Sequence, residues 1–162
     1  MLDLEFSGAN VSLANVVLAA TAAAATLGTT NATSATINGE FTTALASGAG
    51  KTLAFVASDG TTAATATSLA VNQACTVICA VDSAGAMKNL QGPIQSLDAA
   101  GNLVGPLQFA RVPDNLVAFG YLTVKAGSTS SGFVFGTTFW NATGITTVAK
   151  SIFSLPTRPV WP

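Results

Sequence analysis

Apolar and polar positions change their rhythm along this chain. Residues 11–27, VSLANVVLAATAAAATL, form an apolar run in which Leu13, Val16, Val17 and Leu18 fall on one helical stripe. Asn10 or Ser12 can cap its start and Gly28 can stop it. The run predicts a short Ala-rich helix, or an extended arm packed on a neighbour. From about residue 31 the helical period fades. Residues 33–37 and 40–43 flank Asn38-Gly39, a pair that favours a type I′ hairpin because both positions tolerate positive φ. Ser58-Asp59-Gly60 marks a further turn between 51–57 and 61–69. Strands are expected at 75–81, 116–125, 133–135 and 145–153, which are β-branched, apolar and bounded by turn residues.

Between 81 and 108 the texture repeats once. Val81-Asp-Ser-Ala-Gly85 matches Leu97-Asp-Ala-Ala-Gly101, and Gly92-Pro-Ile-Gln95 matches Gly105-Pro-Leu-Gln108. In each D-x-A-G the aspartate can bond its own backbone while glycine takes the left-handed position, so the segment predicts a β-meander. Short β segments separated by turns predict an all-β sandwich or barrel-like domain over residues 31–154. The N-terminal arm or helix spans 1–30, and an extended Pro-rich tail spans 155–162. Phe41, Phe55, Phe109, Phe119, Tyr121, Phe133, Phe135, Phe139, Trp140 and Phe153 are expected to supply most of the core bulk, so the C-terminal half should be the better packed.

Composition sharpens this picture. Charged residues make up 8% of the chain, against about 25% in an ordinary globular protein. Six basic and seven acidic side chains leave a formal charge of -1, and there is no histidine. With 49% hydrophobic residues and a mean hydropathy of +0.54, the chain is not disordered through charge. The lack of a basic excess argues against nucleic-acid binding. Soluble monomers usually rely on charged surfaces and a net charge away from zero. A chain with neither is expected to bury surface against other chains, as a component of an assembly. Residues 11–27 reach only the lower edge of a membrane span, carry Ser12, Asn15, Thr21 and Thr26, and lack flanking Lys or Arg, so no membrane partner is expected. The acidic N-terminus does not read as a secretory signal.

Candidate chemistry is sparse. Cys75 and Cys79 lie four apart in a predicted strand, roughly 13 Å along it, whereas a disulfide needs Cα atoms within about 7 Å. They are expected to be buried thiols on one face, and C-x-x-x-C without histidine is not a zinc signature. Gly48-Ala-Gly-Lys-Thr52 imitates the end of a P-loop, with 77–82 as a mock Walker B strand. However, Leu45 stands where the first glycine belongs, and the turn at 58–60 leaves no room for the required helix. Of the carboxylates Asp3, Glu5, Glu40, Asp59, Asp82, Asp98 and Asp114, the last four sit in turn contexts. Without histidine there is no Ser–His or Cys–His system. Sequons at Asn10, Asn31 and Asn141 read as turn or cap residues. No catalytic residue, cofactor or metal ligand is assigned, and the expectation is a protein that is not an enzyme.

Residues 74–159 carry a pattern of turns and aromatics: VDSAGAMKNLQGPI at 81–94, LDAAGNL at 97–103, PLQF at 106–109, VPDNLVAFGYLTVKAG at 112–127, FWNATGI at 139–145 and LPTRP at 155–159. This pattern resembles a domain of small virion proteins of tailed bacteriophages, similar to capsid decoration (cement) proteins. The resemblance implies a β-rich subunit, symmetric oligomers and no cofactor. The expected partners are the major capsid protein or neighbouring virion subunits on the capsid surface, and a homo-oligomer, with a trimer favoured. Leu2, Leu4, Phe6, Val11, Leu13, Val16, Val17, Leu155, Val160 and Trp161 are the expected inter-subunit contacts. The alternative is a tail- or fibre-associated receptor- or glycan-binding module, with Trp140, Tyr121 or Trp161 stacking on sugars.

Overall fold

In the computed structural model, which describes residues 11–12, 17–20, 24–37 and 40–151, strand β7 (Gln73–Val81) organises the fold. Every residue from Ala74 to Val81 is buried. Side chains alternate across a strand, so Cys75, Val77, Cys79 and Val81 enter one apolar core while Ile78 and Ala80 enter a second. A strand buried on both faces reads as a continuous hydrophobic run, which is how QACTVICAV reads. β7 pairs antiparallel with β8 (Met87–Gln91) on one side and β10 (Val117–Ala126) on the other. β11 (Ile145–Ser151) extends the sheet beyond β10, and β9 (Gln95–Ser96) adds to one end of β7.

A β-bulge between Ala118 and Gly120 resets the alternation of β10. Val117 before it, Phe119 within it, and Leu122, Val124 and Ala126 after it therefore all face the first core. Gly120 also permits a close approach. A Cβ there would lie 2.9 Å from the Lys150 carbonyl oxygen and 3.2 Å from Leu18 Cδ2.

Two three-stranded sheets supply the other side of the first core. One is β1 (Val11–Ser12), β4 (Thr33–Ile37) and β5 (Glu40–Leu45); the other is β2 (Leu18–Ala20), β3 (Leu27–Thr29) and β6 (Gly48–Lys51). Leu18, Leu27, Ala35, Ile37 and Leu45 bury themselves against β7 and β10. All named strand pairs are antiparallel. The protein is all-β.

The described part of 11–27 is not helical. Leu18 pairs with Thr29 and Ala20 with Leu27, and Gly28, the expected helix stop, lies inside β3 opposite Ala19. Alanine's helix propensity is worth only a few tenths of a kcal/mol per residue over most alternatives. Burying Leu18 and Leu27 in a core shared with the central sheet outweighs it. Nor is this stretch only an arm laid on a neighbour, since those two leucines belong to this chain's own core. The pairing Ile37↔Glu40 leaves two residues between the strands, as the hairpin expectation requires, and the Asn38-Gly39 pair itself lies outside the described residues.

The strands expected at 75–81, 116–125 and 145–153 are found at 73–81, 117–126 and 145–151, while 152–153 lie outside the described residues. Residues 133–135 differ: Phe133 makes only an isolated bridge with Leu69, because Gly132 and Gly136 both adopt positive φ and turn the chain on either side. Two expected core aromatics are on the surface, Phe109 at 45% exposure and Phe139 at 52%. Phe119, Phe133 and Trp140 supply the aromatic bulk of the first core, and Phe55 and Phe135 pack against it.

Candidate functional site

The aspartates serve the backbone. Asp82 Oδ1 accepts from the amides of Ala84 and Ala86, and Asp98 Oδ1 from those of Ala100 and Asn102. Gly85 and Gly101 take φ of 77° and 80°, as the D-x-A-G reading required. The first turn joins β7 to β8; the second closes only the bridge Leu97↔Leu103, so the meander is shorter than expected. Asp59 accepts from the Thr62 hydroxyl and from the amides of Thr61 and Thr62. These bonds hold its carboxyl down to about 2, and the Asn102 amide and side chain, with Ala100 and Gly101, hold Asp98 low. Lys88 reaches Asp82 at 3.4 Å across a turn, a partly exposed pair of small energetic weight.

The thiols are inert. Cys75 and Cys79 are free and buried. Burial pushes Cys75 up to about 11 and Cys79 up to about 12, against weak opposing hydrogen bonds from Gln91 and Asn89. With so little thiolate at neutral pH, neither is a nucleophile. Residues 48–51 of the P-loop imitation form β6, an edge strand paired to β3, with no helix behind it. Among the described residues no group of three or more His, Cys, Asp or Glu is placed to hold a metal ion. No helix among them is long and apolar enough to cross a membrane.

Three side-chain amides, which the sequence reading passed over, position the surface around β7 and β8. Asn89 is fully buried; its Oδ1 accepts from the Ala54 amide at 3.0 Å while its backbone exchanges bonds with Ala54 and Val56. Gln91 bonds both the amide and the carbonyl of Thr67 at 2.7 Å. Gln95 does the same to the Gln108 amide and the Pro106 carbonyl, and Thr76 Oγ1 donates to the Gln108 carbonyl. Each amide imitates one rung of a strand ladder, so segments 52–67 and 106–108 are held without becoming strands. The signal was present in MKNLQ, where polar amides occupy core-facing positions of a strand.

Beside the first of these segments opens a slot of about 250 Å³. Val56 and Leu90, both buried in the second core, form its floor. Phe55, Ala64, Ala66, Ala110 and Arg111 line it as well. A second hollow of about 400 Å³ lies among Asn72, Ala99 to Gly101, Gly127 to Thr129 and Gly144 to Thr146, and is mostly backbone and hydroxyl.

Trp140 does not offer a sugar-stacking face. It is 4% exposed, stacks on Phe133 at 5.2 Å, and donates its indole N–H to the Thr26 carbonyl at 2.7 Å. Tyr121 is half-buried with Phe109 against its edge. Of the expected inter-subunit contacts, Val17 is exposed and Val11 lies in β1; Leu2, Leu4, Phe6, Leu13, Val16, Leu155, Val160 and Trp161 lie outside the described residues. Comparison of the chain with protein-family models, curated proteins and solved structures finds no match.

Proposed function

We propose that this chain is a non-enzymatic structural subunit of a tailed-phage virion, a decoration or cement protein on the capsid surface. It stabilises the shell through contacts with the major capsid protein or neighbouring virion subunits, and with copies of itself as a trimer. The supporting observation is the character of the described surface. Val104, Phe109, Val134, Phe139 and Val148 all stand exposed in a chain with 8% charged residues, and the aspartates that are present are engaged in turns. A surface that exposes these apolar groups and carries little charge suits burial against a partner. Each such contact contributes at roughly 25 cal/mol per Å² buried, before association costs.

Light scattering on the purified full chain tests this reading. The expected mass is three times the 16.1 kDa of one chain. A freely soluble monomer throughout the micromolar range overturns it.

A further inference from the structure

We propose that the slot beside Arg111 receives residues 2–6 of a second copy of this chain as an added extended segment. This deepens the assembly reading above and rests on it. The slot's size, at about 250 Å³, falls below the roughly 300–1,000 Å³ of small-molecule pockets and suits anchoring side chains instead. Its walls have backbone to offer. Among the described residues, Thr65, Ala66, Ala110 and Arg111 make no backbone–backbone hydrogen bond. Unpaired main-chain groups beside an apolar floor are what a docking strand uses, with alternate side chains going into the pocket.

Charge selects the occupant. Arg111 is the one ionised group lining the slot, is exposed, and has no ion-pair partner among the described residues. Residues 2–6 read Leu-Asp-Leu-Glu-Phe, with apolar groups at alternate positions and carboxylates between them. An extended segment with that pattern sets Leu2, Leu4 and Phe6 on one side and Asp3 and Glu5 on the other. The apolar side matches Val56 and Leu90; the acidic side matches Arg111.

Topology favours a neighbour's segment over the chain's own. Val11 pairs with Thr36 in β4, whose Ala35 and Ile37 belong to the first core. The slot floor belongs to the second core, across the central sheet.

Charge reversal provides the test. Arg111→Glu and the double variant Asp3→Lys/Glu5→Lys should each weaken self-association roughly three- to tenfold at low salt, and less at high salt. An equimolar mixture of the two should recover association, because each then carries the charge the other lacks. Arg111 is exposed, so the variant should keep the wild-type urea midpoint; Arg111→Gln serves if it does not. Leu4→Cys combined with Thr65→Cys should give covalent oligomers under oxidising conditions. If wild type assembles but Arg111→Glu and Arg111→Gln associate equally well, the slot proposal fails and the assembly reading stands. Variants that are weakened singly but not rescued by mixing, or a Cys pair that closes only within one chain, also overturn it. A monomeric wild type removes both.

Discussion

The central sheet and the N-terminal sheets are all antiparallel but hold themselves together differently. β7 and β10 share nine register pairs; β7 brings Val and Ile, and β10 brings Val, Leu and Phe. Before residue 52 no described strand exceeds six residues, and Ala, Thr and Gly dominate. The central sheet has a core on each face; among the described residues, the N-terminal sheets contribute side chains to the first core only. The large groups described there, Leu18, Leu27, Ile37 and Leu45, are stabilised by surfaces that β7 and β10 present. The contrast teaches that small-residue strands persist here by docking, since short two- or three-stranded pieces are marginal alone.

The largest expected effect comes from cutting the tether between the two regions. Trp140 stacks on Phe133, donates to the Thr26 carbonyl through its indole, and bonds the Ala24 carbonyl through its backbone amide. Trp140→Ala should cost about 3–5 kcal/mol in urea unfolding. Trp140→Phe should cost less, the lost hydrogen bond accounting for about 1–2 kcal/mol. In amide exchange, Leu27 and Thr29 should lose protection before Val77 and Leu122 do. Simultaneous loss at both sites would show that the two regions unfold as one unit and would dissolve the distinction.

A smaller effect tests how the central region holds its own irregular segments. Asn89→Ala removes the acceptor of the Ala54 amide inside a fully buried site, and should cost about 1–3 kcal/mol. Gln91 is only half-buried, so Gln91→Ala should cost about 1 kcal/mol or less while freeing the 64–67 stretch to exchange. Equal effects at both positions would mean that burial does not set the value of these amides.

The division between regions also marks what the sequence made legible. β7 and β10 were readable because of their apolar residues, β11 because Ile, Thr and Val are β-branched, and the D-x-A-G turns because an aspartate and a glycine each have one cheap conformation there. The N-terminal run misled because alanine fits helix and strand alike, and only the distant partners of Leu18 and Leu27 decide between them. Phe109 and Phe139 misled because bulk alone does not say which side of a loop faces in. The slot was illegible for the same reason. Phe55, Leu90 and Arg111 are far apart in sequence, and Gln91 and Gln95 bring their segments together through side-chain bonds that no hydrophobic period records.

The smallest expected effect, acid sensitivity, should also fall on one region. Asp59 and Asp98, whose carboxyls are held low by turn hydrogen bonds, both lie after residue 52; residues 11–37 carry no acidic group at all. A folded-state pKa below the unfolded value stabilises the fold above the unfolded pKa, and that contribution is lost as pH falls. For Asp59 the window runs from the ordinary carboxyl value of 3.8 down to about 2. Both groups are fully exposed, so solvent screens them and the shift in unfolding midpoint should be slight. Local exchange is the sharper measurement. As pH falls below the ordinary carboxyl range, and after correction for intrinsic exchange, the amides of Thr61, Thr62, Ala100 and Asn102 should lose protection while those of Leu18 and Thr29 keep theirs. Asp59→Asn should remove the pH dependence at Thr61 and Thr62 and leave it at Ala100 and Asn102. If acid instead loosens β2 and β3 first, the N-terminal sheets depend on the central turns, and docking on the core alone does not account for their persistence.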